Sequence, residues 1–299
     1  NKIPLITVIN KIDLKKPGPD FFQSLEKRSK GVLSCSCVDK KSRDAVVTAF
    51  KKILLGVCPD NFLQAPALIG DLLPPGGLAV LIVPIDKEAP KGRIILPQVQ
   101  AIRDALDCDA MTLVVKEREY APALTRLTRP PDLVVCDSQV VMKMVADTPA
   151  DVKCTTFSIL FARFKGDLIE EARGAAAVDR LKAGDRVLIV EACSHHAIED
   201  DIGRVKIPRW LRQYSGLDLQ IDVISGRDYP ENLADYRLFI LCGACMLTRR
   251  ETLYRIQQAR EKGVPITNYG ICISLLQGVL PRALSPFPAA LAAYQQAHD

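Results

Sequence analysis

Arg186-Val187-Leu188-Ile189-Val190-Glu191, followed by Ala192-Cys193-Ser194-His195, and Arg237-Leu238-Phe239-Ile240-Leu241, followed by Cys242-Gly243-Ala244-Cys245, decide the fold of this chain. Each begins as a short β-rich run without strict polar alternation, the signature of a strand covered on both faces. Each ends in a thiol-bearing turn. Helical periodicity lies between such runs, over Ile207–Tyr214 and Arg249–Lys262, with further strands expected at Gln220–Ile224 and Pro265–Asn268. Strands alternating with helices imply right-handed crossovers and a mostly parallel sheet.

The same logic extends toward the start of the chain. Leu78–Pro84, Met111–Val115 and Leu133–Cys136 read as strands, with helices at Gln98–Leu106 and Ala121–Leu127 between them. Before them, strands at Leu5–Ile9 and Val32–Cys35 alternate with helices at Phe21–Arg28 and Asp44–Leu55, and a Pro-bearing connector follows over Val57–Pro66. One helical region is expected over Phe164–Leu181, and the Pro-, Ala- and Gln-rich end from Ser285 reads as a poorly ordered tail. The fold class is therefore α/β, as successive mostly parallel-sheet domains over 1–57, 67–155 and 156–285, with a tail at 286–299.

With 48% hydrophobic and 25% charged residues among 299, the chain has ample material for packed cores. Its longest apolar run, near Leu78–Ile85, is too short to span a bilayer. The net charge of +5 is small for the length, and the basic residues are dispersed among acids, which argues against a nucleic-acid partner. No segment marks the chain for export, so a cytoplasmic location is expected. Among ten cysteines, Cys35, Cys58, Cys108, Cys136 and Cys154 are scattered singly and read as small buried apolar residues.

Asn10-Lys11-Ile12-Asp13 follows the first strand directly. N-K-x-D at a strand end suits guanine, because the Asp13 carboxylate can accept two parallel hydrogen bonds from N1–H and the 2-amino group. Asn10 would contact the base edge and brace the loop, the Lys11 stem would cover the ring, and Ser36-Cys37 would supply a small backbone clamp. No G-x-x-x-x-G-K-[ST] loop occurs in these residues, so GTP hydrolysis is not expected from them as they stand.

Cys193, Cys242 and Cys245 are the thiols with metal-site spacing, and His195 is the natural fourth ligand, with His196 as runner-up. The carboxyl ends of parallel strands open into one crevice where ligands converge. Cys272 is a weak additional candidate. A redox dithiol would not call for Cys193 and His195 at the matching strand end. Three cysteines and one histidine also form a standard structural zinc set, and this spacing does not discriminate zinc from an iron–sulfur cluster.

Taken together, these residues resemble the FeFe-hydrogenase maturation GTPase, the HydF family. The pattern is Cys193-x-His195, then Leu241-Cys242-x-x-Cys245, where many members have His in place of Leu241. Further matching stretches are Pro74-Pro75-Gly76-Gly77 to Asp86, Leu96-Pro97-Gln98, Thr156-Phe157-Ser158 to Gly166-Asp167, and Thr267-Asn268-Tyr269-Gly270. The resemblance implies the rear part of a longer chain: a remnant of a P-loop GTPase domain, an α/β dimerisation domain and an α/β cluster-binding domain. It further implies a homodimer, a 4Fe–4S cluster, GTP with Mg²⁺ in the full-length protein, and carriage of a diiron precursor from radical-SAM maturases to apo FeFe-hydrogenase. The alternative is a zinc-stabilised, GTPase-linked assembly module without cluster transfer.

Overall fold

A computed structural model describes residues 4–58, 67–85, 92–191, 201–226, 230 and 232–298. The chain divides into two compact units, 1–66 and 67–299. Every strand pairing among the described residues is parallel.

The first unit runs β1 (Ile6–Ile9), α1 (Pro19–Glu26), β2 (Gly31–Ser34) and α2 (Arg43–Val57). β1 and β2 pair from Ile6↔Gly31 to Ile9↔Ser34. Neither helix has a fully buried residue, and Leu5, Val8, Phe21, Phe50 and Leu54 remain exposed.

The second unit begins with β3 (Leu78–Ile82), α3 (Leu96–Asp107), β4 (Met111–Val115), α4 (Tyr120–Leu124), β5 (Leu133–Cys136), α5 (Val141–Asp147), β6 (Lys153–Thr156) and α6 (Phe157–Lys165). It continues with α7 (Leu168–Ala175), β7 (Arg186–Glu191), α8 (Ile207–Ser215), β8 (Gln220–Ser225), β9 (Leu238–Leu241), α9 (Arg249–Glu261), β10 (Ile266–Asn268), α10 (Tyr269–Leu276), α11 (Leu280–Ala283) and α12 (Pro288–His298). Its two four-stranded sheets are ordered β4-β3-β5-β6 and β10-β9-β7-β8. Both have the same winding: the second strand lies on one side of the first, and the third and fourth lie on the other. The inner strands β3, β5, β7 and β9 are almost wholly buried, which explains their continuous apolar runs.

Two expectations change and one helix is added. The helical region at 164–181 is interrupted: α6 ends at Lys165, and after Gly166 the Asp167 carboxylate caps α7 by accepting from the Glu170 N–H at 3.1 Å. Helix α10 follows Asn268 without a loop, because the Asn268 side chain caps it through the Ile271 N–H at 2.9 Å. The tail at 286–299 is mostly the helix α12, packed on α7 with Ala290, Ala293 and Tyr294 buried. Small alanines let two helices approach closely, so a stretch poor in large apolar residues still docks.

Candidate functional site

In the second sheet β7 and β9 are neighbours, and they are the first and third strands of the winding. The chain leaves them in divergent directions, toward β8 and toward β10, which makes their carboxyl ends the topological switch point where ligands settle in open α/β sheets. The Cys242 N–H donates to the Val190 carbonyl at 2.9 Å, so the first thiol of the C-x-x-C stands in register with the end of β7. Cys242 and Cys245 are both half-buried. Cys193, His195 and His196 lie outside the described residues. Among the described residues, no group of three or more His, Cys, Asp or Glu is placed to hold a metal ion. Two partly exposed thiols on one turn are chemically suited to a soft metal.

Gly243 is not the residue that bends this turn. A Cβ there would meet only Ser158 Oγ, at 3.5 Å, an ordinary contact. The left-handed residue of the turn is instead Ala244, with φ of 52°. Lys165, the last residue of α6, holds that turn: its ammonium donates to the carbonyls of Cys245 at 2.7 Å, Leu247 at 2.9 Å and Ala244 at 3.3 Å. Its Nζ also lies 5.2 Å from the centre of the Phe161 ring. Burial lowers the Lys165 pKa from its ordinary value, and the nearby Cys245 thiol pulls in the opposite direction. Arg249 donates to the Phe164 carbonyl at 2.6 Å, a second tie between α6 and the segment following β9.

Helix α6 also braces the neighbouring strand end. The Gly270 N–H donates to Ser158 Oγ at 3.1 Å, and the Asn268 amide donates to the Ser158 carbonyl at 3.1 Å. A Cβ on Gly270 would fall 2.6 Å from Ser158 Cβ. Thr156-Phe157-Ser158 and Thr267-Asn268-Tyr269-Gly270, two stretches singled out in the sequence, are thus the two halves of one contact. Below it lies Glu171, fully buried. Desolvation pushes its carboxyl up to about 8, Asp167 adds to the rise, and a hydrogen bond with Asn268 opposes it. Cys272 is buried within α10, its thiol pushed up to about 12 by desolvation, and packs as core.

The floor of the switch point is polar. Glu191, nearly fully buried, accepts from Ser225 Oγ at 2.8 Å and from the Arg204 guanidinium at 3.3 Å. Asp201 caps the π-helical turn Ile202–Lys206 through the Arg204 N–H at 2.8 Å. Gly203 admits Tyr269 and Glu191 together, since a Cβ there would lie 2.1 Å from the Tyr269 hydroxyl and 2.7 Å from Glu191 Oε1. None of Lys165, Glu171, Glu191 and Arg204 was singled out from the sequence. Each acts through partners remote in the chain, and a lone charged residue carries no spacing signal.

In the first unit, Asn10 Oδ1 accepts from the Lys11 N–H at 2.7 Å and from the Cys37 N–H at 3.2 Å. Lys11 takes the left-handed conformation, φ 62°, which turns the chain sharply at the end of β1. Asn10 therefore ties the Asn10–Asp13 loop to Ser36-Cys37, while Asp13 is exposed and Ser36 half-buried. Cys35, beneath this junction, has its thiol pKa raised by burial and by Cys37.

Two family models match the chain. The hydrogen maturase F dimerization domain matches residues 68–166, and the hydrogen maturase F tetramerization domain matches residues 169–286. Their junction falls where α6 gives way to α7, and the second covers the sheet that carries the C-x-x-C. No curated protein matches the chain. No helix among the described residues is long and apolar enough to cross a membrane. The two matches together span most of the chain, from β3 to beyond α11, and with the parallel α/β sheets they make it a member of the hydrogen maturase F (HydF) family of hydrogenase-maturation proteins.

Proposed function

We propose that this oligomerising hydrogenase-maturation protein is a cytoplasmic scaffold and carrier that binds a 4Fe–4S cluster through Cys193, Cys242 and Cys245. Its cargo is a diiron precursor, received from radical-SAM maturases and delivered to apo FeFe-hydrogenase. His195 or an incoming group completes the coordination, since Leu241 stands where many relatives have a histidine. When bound, the cluster supplies an iron with an exchangeable position at which cargo can dock. Asn10, Lys11, Asp13, Ser36 and Cys37 hold the guanine of GTP, with Mg²⁺, in a protein that also has a phosphate-binding loop. The middle sheet and the cluster-bearing sheet both contribute to self-association, the former as the homodimer contact.

The observation that carries this reading is the placement of Cys242 and Cys245 on the turn leaving β9, beside β7, the strand whose continuation carries Cys193 and His195. The test is metal analysis and absorption spectroscopy of anaerobically reconstituted protein. The carrier reading expects iron with sulfide and a broad band near about 400 nm from thiolate-to-iron charge transfer. Replacement of Cys193, Cys242 or Cys245 by Ser abolishes the band, whereas Cys108→Ser retains it. A colourless protein with one zinc per chain, unfolding on chelation, would establish the zinc-stabilised assembly module instead.

A further inference from the structure

We infer that Lys165 is the positioning residue of the C-x-x-C: its ammonium gathers three backbone carbonyls of the turn into one fixed arrangement and sets a positive charge against the metal-binding thiols. The geometry matches the chemistry of the group. An ammonium has three N–H donors and no acceptor, and the carbonyls of Ala244, Cys245 and Leu247 all lie within 3.3 Å of this one. Three carbonyl oxygens that converge on one point repel each other unless a cation sits between them. Ala244, a residue with a Cβ, is also held at positive φ, a conformation that needs external support.

Lys165 is supported in turn. Its Nζ lies over the Phe161 ring, 5.2 Å from the centre, and α6 is pinned to the Asn268–Gly270 strand end by Ser158. The chain therefore brings the clamp to the thiols on a helix rather than on a loop. Metal-ligand loops whose supporting hydrogen bonds are removed typically lose about 10–100-fold in metal affinity. A cation close to a cluster also favours its reduced, more negative form, so its loss moves the reduction potential downward. The effect on potential rests on the cluster reading above; the clamp does not.

The experiment compares wild-type chain with Lys165→Met, which keeps the stem and removes the donors, and with Lys165→Gln, which keeps two donors and drops the charge. Lys143→Met, on the exposed face of α5, is the control. In metal-free protein, amide hydrogen exchange across residues 242–248 becomes about tenfold faster in Lys165→Met, less so in Lys165→Gln, and is unchanged in Lys143→Met. After anaerobic reconstitution, iron passes to a ferrous chelator about 10–100-fold faster from Lys165→Met, and both Lys165 variants titrate at a more negative potential. Should Lys165→Met not fold, Lys165→Gln carries both measurements. Exchange that is the same as wild type overturns the clamp, and an unmoved potential overturns the charge effect. If wild-type protein takes up no iron, the cluster reading fails, and exchange alone decides the role of Lys165.

Discussion

The hydrogen bond from the Cys242 N–H to the Val190 carbonyl, at 2.9 Å, carries the β7–β9 ladder one residue beyond the last paired strand position, Leu241. The thiol at the mouth of the sheet is thereby fixed by backbone while its side chain remains half-buried. Half-buried thiols lose little when oxygen replaces sulfur, because water still reaches the new hydroxyl. Cys242→Ser and Cys245→Ser should each change the stability of metal-free protein by less than about 1 kcal/mol. Cys136→Ser, which puts a hydroxyl into the fully buried strand β5, should cost about 1–3 kcal/mol. Urea titration of the three variants checks the contrast.

Gly174 in α7 touches the backbone of β10 directly. A Cβ there would sit 1.9 Å from the Ile266 carbonyl oxygen and 2.6 Å from its carbon. Neither can swing aside as a side chain would. Gly174→Ala should therefore destabilise the second unit by at least about 2 kcal/mol. Gly243→Ala, facing only Ser158 Oγ, should stay within about 0.5 kcal/mol of wild type. Thermal melts of both proteins decide.

Asp104 closes the entry to the second unit. One of its carboxylate oxygens accepts the N–H groups of Leu68, Ile69 and Gly70 at 3.0, 2.7 and 2.7 Å. All three residues are buried, so the donors have no ready replacement. Asp104→Ala should cost about 3 kcal/mol or more, measured by denaturant unfolding. Arg163 secures the same segment by donating to the Ala67 carbonyl at 2.9 Å and to the Asp71 carboxylate at 3.0 Å.

Glu171 makes stability depend on pH in the direction opposite to that of a salt-bridged acid. Its folded-state pKa, about 8, lies above the ordinary value of 4.5. Between those values the folded chain binds a proton that the unfolded chain has lost. The contribution is complete below about pH 4.5 and is lost as pH rises toward about 8, at up to about 1.4 kcal/mol per pH unit. Glu171→Gln, which stays neutral, should flatten the fall in stability from pH 6 to pH 8. Parallel unfolding curves for wild type and variant across that interval would refute the assignment.

Much of the fold was legible in the residues. Met111–Val115, Leu133–Cys136 and Arg186–Glu191 are strands with the expected ends, because uninterrupted β-branched runs bounded by polar residues leave little choice. Lys153-Cys154-Thr155-Thr156 was not marked as a strand. It is short and half polar, and only its place beside β5 makes it one. Tyr269–Leu276 was missed as a helix because Gly270 and two isoleucines mask the period, although Asn268 supplied a cap signal. At the candidate site the thiols were visible through their spacing. Lys165 was not, because its acceptors are backbone carbonyls about 80 residues along the chain and no side-chain pattern encodes them.

The turn that leaves β9 is held by backbone at one end and by a side chain at the other. Cys242 is tied into the ladder, and its turn is gripped from below by Lys165 on a helix that is itself bolted to the next strand end. Replacing the side chains at 242 and 245 should accordingly leave the path of that turn unchanged, since neither tie runs through a thiol.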